Sequence, residues 1–302
     1  MSSLKQTVWE SGADSSSDHT LMPLVSRTAS RRCFPTARWV GCAVAWAVLT
    51  AAMMTVPRLS GQGNDAAGGS GPDRSAVGPK VFIIGDSTVK NSGPRAGWGQ
   101  RMHRYLDERV TVVNEANPGE SSRTFITENR WARTLAQVSS NDIVLIQFGH
   151  NDSHNPARPE STAADGEYRV NLQRYIDETK ARGGIPVLVT PPYRRHFDTN
   201  GVLLTYIVDR TGHTNDLAPY VAAMKQVAES NRVACVDLFA ASGRHLQKLG
   251  PGESASLFAP EDTTHFNETG ADAMAALVAE GLARALPAAV RWISQSREGP
   301  VE

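Results

Sequence analysis

The chain has 302 residues, 40% hydrophobic and 21% charged, with a formal net charge of zero. That length holds one large domain or two small ones and is ample for a sizeable core. A zero balance excludes the strongly basic footprint of a nucleic-acid or anionic-surface binder, so no nucleic-acid partner is expected.

Residues 1–38 are rich in Ser, Thr and Asp and lack apolar periodicity, which predicts a disordered region that turns basic at Arg27, Arg31, Arg32 and Arg38. Residues 39–56 run uncharged and apolar, at the lower limit for spanning a bilayer. Two readings compete: a cleaved export signal, for which Ser30-Arg31-Arg32-Cys33-Phe34 resembles a twin-arginine motif, and an uncleaved anchor. Either one places the domain outside the cytoplasmic membrane, secreted or tethered through 39–56. Residues 57–79 contain Gly68-Gly69-Ser70-Gly71-Pro72 and read as a flexible linker. Cys33 and Cys42 lie before it, so Cys235 is the lone cysteine of the expected folded part, in an apolar run that suits a buried thiol.

From Lys80 onward, short apolar runs alternate with helical patterns. Strands are expected at 81–84, 110–113, 143–148, 186–189 and 233–238, each bounded by turn residues and apolar enough to be buried on both faces. Helices are expected at 100–108, 167–180, 217–231 and 269–286. This alternation predicts an α/β fold, a parallel sheet covered on both sides, spanning 80–287 with a tail at 288–302.

Active sites in such sheets collect at the carboxyl ends of strands. Gly85-Asp86-Ser87-Thr88 follows the first expected strand, Asn114 to Gly119 closes the second, and Gly149-His150-Asn151-Asp152 follows the third. Asp262-Thr263-Thr264-His265 lies in the loop before the last helix. A serine hydroxyl needs a base in hydrogen-bond reach, and the base needs an orienting partner. Ser87 is the candidate nucleophile, His265 the base and Asp262 the orienting carboxylate. The tetrahedral intermediate of ester hydrolysis needs hydrogen-bond donors aimed at its oxyanion. The candidates are the Ser87 backbone N–H, the Gly119 backbone N–H and the Asn151 side chain. No cofactor or metal is required for these steps. A hydrolytic metal cluster of His150, Asp152, Asp262 and His265 is the rival reading, but it leaves the serine without a role and lacks helical ligand spacing. Each motif alone also reads as an ordinary turn or, for Asp262 or Thr263, as a helix cap.

These residues resemble the four blocks of the SGNH, or GDSL-type, hydrolases, whose Ser, Gly, Asn and His are matched by Ser87, Gly119, Asn151 and His265. Gly97-Trp98-Gly99, Ser121-Ser122-Arg123-Thr124-Phe125, Gln147 to Asp152 and Pro186 to Pro191 further resemble the rhamnogalacturonan acetylesterase branch. The resemblance implies a flavodoxin-like three-layer α/β/α sandwich that removes acetyl groups from an acetylated polysaccharide of the plant cell wall. Acetylated xylan, small aryl esters, lipid acyl chains (a general GDSL-type esterase or lipase), transfer of the acyl group to a sugar hydroxyl, and a silent glycan-binding surface are the alternatives. One position departs from the branch: Glu120 stands where an arginine is usual, and a carboxylate facing the cleft would disfavour a uronate there. Arg123, Arg194, Arg195 and His196 are candidate cations for a uronate. Trp98 is a candidate for stacking on a sugar ring, or a packing residue between two glycines.

Overall fold

A computed structural model describes residues 78–294. The expected basic region, apolar run 39–56 and most of the linker lie outside the described residues. Among those described, no helix is long and apolar enough to cross a membrane.

The apolar runs build the sheet. β1 (Lys80–Gly85), β2 (Thr111–Asn114), β3 (Ile143–Gln147) and β4 (Ile185–Val189) fall within a residue or two of their expected bounds. Two three-residue strands follow, β5 (Tyr206–Val208) and β6 (Thr214–Asp216), then β7 (Ala234–Val236). The main sheet has the order β2-β1-β3-β4-β7 and is parallel throughout. β5 and β6 pair with each other as a separate antiparallel hairpin.

Alternation along the strands sorts side chains into two cores. Val81, Ile83, Ile143, Leu145, Val187 and Val189 pack with Trp98, Met102 and one set of helices. Phe82, Ile84, Val144, Ile146 and Leu188 pack with another set on the opposite face. That second set includes α3 (Glu167–Ala181) and α4 (Ala218–Asn231), through Leu172, Tyr175, Met224 and Val227. The short helices α1 (Thr124–Thr127) and α2 (Arg130–Leu135) add Phe125 and Trp131 to it. α5 (Leu238–Glu253) and α6 (Glu268–Ala285) cover the first face. The result is the three-layer α/β/α sandwich.

Besides the unexpected α1, α2, α5 and β5–β6 hairpin, three stretches with a stated expectation come out differently. Residues 100–108 form no α-helix; two turns of 3₁₀ helix, Trp98–Gln100 and Met102–Arg104, occupy that stretch. Gly97 and Gly99 disfavour helix, and Gly99 lies so close to Val89 and Asn114 that a Cβ would meet their atoms at 2.8 and 2.7 Å. The fifth strand stops at Val236 because the Asp237 side chain accepts from Ala240 N at 3.1 Å and so caps α5. Beyond α6, Pro287–Trp292 forms a further 3₁₀ segment with Ala289 buried, and Trp292 O accepts from Asp107 N.

Trp98 is a core residue. It is 0% exposed, and its indole N–H donates to Gln147 Oε1 at 2.8 Å. It has no surface to offer a sugar, which corrects the stacking expectation in favour of packing. Trp98→Ala should destabilise the fold by about 3–5 kcal/mol through the cavity it leaves. Urea unfolding checks this: the midpoint should drop at unchanged slope.

Candidate active site

The sheet order places β1 between β2 and β3, so the chain's connections leave β1 in opposite directions at that point. At such a switch point the loops at the carboxyl ends of the strands diverge, and sites in parallel sheets gather there. The loops after β1, β2 and β3 carry Ser87, Gly119 and Asn151.

The β1 loop turns sharply. A Cβ on Gly85 would sit 2.5 Å from Gln147 O on β3, so only glycine lets these strands stay in register as they end. Asp86 is fully buried beneath the turn. Its Oδ1 accepts from Thr88 N and Oγ1 at 2.9 and 2.8 Å and from Gln147 Nε2 at 3.2 Å. Its Oδ2 lies 3.3 Å from His150 Nδ1, whose ring partner on the other side is Pro192 O at 3.1 Å. Burial is the largest influence on Asp86 and works to raise its carboxyl, yet His150 and Thr88 together hold it below the usual carboxylate range. Burial pushes the His150 imidazole down. Asp86 and His150 thus form the floor of the site, not its reacting surface.

On that floor, Ser87 Oγ lies 2.9 Å from His265 Nε2, and His265 Nδ1 lies 2.8 Å from Asp262 Oδ2. The two segments are 178 residues apart in sequence. Asp262 Oδ1 accepts from the backbone N–H groups of Thr264 and His265 at 2.8 and 2.9 Å. Burial works to raise the Asp262 carboxyl, but these backbone bonds and the imidazole outweigh it and hold the group below its ordinary value. The carboxylate therefore stays ionised and keeps a proton on His265 Nδ1, leaving Nε2 free to accept from the serine. The expected helix cap is supplied elsewhere: Asn267, not Asp262 or Thr263, caps α6 by accepting from Gly270 N at 3.0 Å.

Three candidate donors lie on the loops after β1, β2 and β3. The backbone N–H groups of Ser87 and Gly119 have no acceptor among the described residues. Gly119 has φ +85°, which favours glycine, and open space where a Cβ would stand. Asn151 Nδ2 donates to Glu120 O at 2.7 Å, which fixes the amide against the Gly119–Glu120 turn and leaves its second N–H. Behind these loops, buried Asp152 ties the two together. It accepts from Ser122 Oγ at 2.6 Å, from Ser122 N at 3.1 Å and from Thr162 Oγ1 at 2.7 Å. Burial, only partly offset by those bonds, pushes its carboxyl up to about 6.

Glu120 is 3% exposed and does not confront the cleft as a free charge. Its Oε1 lies 2.7 Å from Arg130 Nε on α2 and accepts from Asn117 Nδ2 at 3.0 Å. The repulsion expected from this departure is therefore neutralised from within, by a residue ten positions on that the sequence reading did not connect to it.

The expected uronate cations fare differently. Arg194 is 3% exposed and donates to Asn215 O, His150 O and Ser153 Oγ, pinning β6 to the β3 loop. Burial lowers it to about 10. It is a buried strut and cannot meet a polysaccharide. Arg123 is committed to Glu167 through Nε and Nη2 and to Pro159 O through Nη1. Arg195 donates to Pro251 O and lies over the Phe258 ring, 5.9 Å from its centroid. His196 Nδ1 is held at 2.5 Å by Tyr206 O. A cation that sequence reading missed stands closer: Arg95 Nη2 is 2.9 Å from Asp262 Oδ2. No sequence signal marks it, because the contact joins loops far apart in the chain. Among the described residues, no three His, Cys, Asp or Glu side chains converge as a metal site.

A Ser–His–Asp chain beside backbone and amide donors, at the switch point of a parallel sheet, defines the class of serine ester hydrolases. The comparisons agree. The chain belongs to the GDSL-like lipase/acylhydrolase family, whose model matches residues 83–273, and it is a carboxylic ester hydrolase. It is 36% identical to the rhamnogalacturonan acetylesterase RhgT of Bacillus subtilis over 220 residues, covering 67% of this chain and 89% of that protein. The crystal structure of YxiM from Bacillus subtilis superposes with a TM-score of 0.60 at 30% identity, covering 70% of this chain and 58% of that one. An acetylxylan esterase from Geobacillus stearothermophilus shares the fold at a TM-score of 0.50 and 22% identity, covering 69% of this chain and 94% of that one.

Proposed function

We propose that the protein removes acetyl groups from an acetylated pectic polysaccharide, rhamnogalacturonan, outside the cytoplasmic membrane. The Ser87–His265–Asp262 geometry is the observation that carries the reaction. The likeness to RhgT over most of that protein's length supports the substrate. The basic stretch followed by the apolar run 39–56 supports export, with a tether if the run is retained. Intact mass of the exported protein distinguishes the two, and full-length protein confined to the cytoplasm would sink the export reading.

Ser87 Oγ attacks the acetyl carbonyl carbon as its proton passes to His265 Nε2. Asp262 stabilises the resulting imidazolium through Nδ1–H. The carbonyl oxygen becomes an oxyanion and takes hydrogen bonds from Ser87 N–H, Gly119 N–H and the remaining Asn151 amide N–H. Collapse breaks the bond to the sugar oxygen, which takes the proton from His265 and leaves acetyl-Ser87. A water deprotonated by His265 then attacks the acetyl carbon, and acetate departs as Ser87 recovers its proton.

Acetate release from acetylated rhamnogalacturonan, homogalacturonan and xylan, with p-nitrophenyl acetate as a generic ester, tests the reading. Release chiefly from rhamnogalacturonan is expected; release chiefly from xylan would move the substrate, and release from none would remove the activity. Asn151→Ala should lower kcat by about 10²–10³-fold at little change in KM, since its amide is asked to act on the charge that develops. A fall in KM-weighted efficiency without loss of kcat would show that Asn151 binds substrate instead.

A further inference from the structure

We propose that Arg95 is a specificity-determining residue that takes a carboxylate of an acidic saccharide at the edge of the site. The proposal rests on the ester-hydrolase reading above. Arg95 lies in the loop between Ser87 and Trp98, and that loop is fastened on both sides of the site. Ala96 N donates to Phe266 O at 2.8 Å, one residue beyond His265, and Trp98 N donates to Thr88 O at 3.0 Å, one residue beyond Ser87. The Arg95 backbone is thereby held between the serine and histidine segments.

One guanidinium nitrogen, Nη2, contacts Asp262 Oδ2, the oxygen that also faces His265 Nδ1. That contact orients the planar group and lowers the entropy lost when it binds a second partner. The Nε and Nη1 groups have no acceptor among the described residues, and the side chain is 48% exposed. An arginine in this state keeps charged N–H donors in solvent, and a carboxylate is the group that accepts the strongest hydrogen bond from such a donor. The other cations expected for this task are buried or already bonded, as described for Arg194 and Arg123. Glu120, the carboxylate that would have repelled an acidic ligand, is neutralised by Arg130.

The contact to Asp262 makes simple activity loss ambiguous, so the test reads binding. Isothermal titration of the full chain with trigalacturonate and with neutral galactotriose compares two trisaccharides that differ at the carboxylates. The wild type should bind trigalacturonate more tightly. Arg95→Gln should weaken trigalacturonate by about tenfold, the loss expected for one charge-assisted contact at a half-exposed site, and leave galactotriose within twofold. Arg95→Lys should recover part of the preference as a point charge. Equal weakening of both ligands, no change in either, or a wild type without preference would each overturn the proposal. Failure of the ester-hydrolase reading shows separately, as a folded wild type that turns over neither p-nitrophenyl acetate nor any acetylated polysaccharide.

Discussion

Ser87→Ala is expected to lower kcat/KM on any acetyl ester by about 10⁴–10⁶-fold while leaving the fold intact. The side chain is small and makes one side-chain hydrogen bond, to His265 Nε2. The turn that carries it is held by Asp86, Thr88 and Gln147. Removing the hydroxyl therefore costs little packing and removes the attacking atom. The floor and the oxyanion donors remain, so substrate should still bind. Melting temperature and acetate release, measured side by side, check both halves. Undiminished hydrolysis by a folded Ser87→Ala would falsify the acyl-serine mechanism.

Asp262→Asn should cost about 10⁴-fold in kcat for a reason of tautomer rather than charge alone. Oδ1 of Asp262 accepts from two backbone N–H groups, so an amide oxygen must take that place. The amide NH₂ is then forced into the Oδ2 position, where it meets His265 Nδ1 and the Arg95 guanidinium. The imidazole responds by moving its proton to Nε2, and that nitrogen can no longer accept from Ser87. Steady-state kinetics on p-nitrophenyl acetate, with an unchanged melting profile, would register the loss. A reduction of less than about tenfold would mean that the carboxylate only supports its loop.

The legibility of the fold follows from the range of the forces involved. β1, β3 and β4 are runs of β-branched and aliphatic residues bounded by turns, and α3, α4 and α6 carry long apolar periodicity. Such patterns record burial directly in composition. α5 was hidden because its start depends on a single cap at Asp237, inside the expected strand 233–238, and a break at Gly250 and Pro251 interrupts its end. The hairpin β5–β6 was hidden because three-residue strands leave too short an alternation to detect.

The site divides along the same line. Ser87, Gly119 and Asn151 stand out in the chain because polar motifs with glycine follow apolar strands, and Asp262 and His265 because they stand three apart in a polar loop before the last helix. Their proximity is a matter of topology, which follows from strand order. Charged side chains carry no such record. Arg194 and Arg195 are adjacent and chemically alike, yet Arg194 is a buried strut while Arg195 reaches Pro251 O.

By itself, then, the sequence determined the α/β class, the strands and long helices, and the residue types gathered at one edge of the sheet, because hydrophobic burial and turn chemistry are written locally. Only the tertiary structure decided that Trp98 is core, that Glu120 is neutralised by Arg130, and that Arg95 stands on Asp262. Those outcomes depend on which long side chains meet across loops distant in sequence, and a flexible charged side chain takes its partner from the space around it.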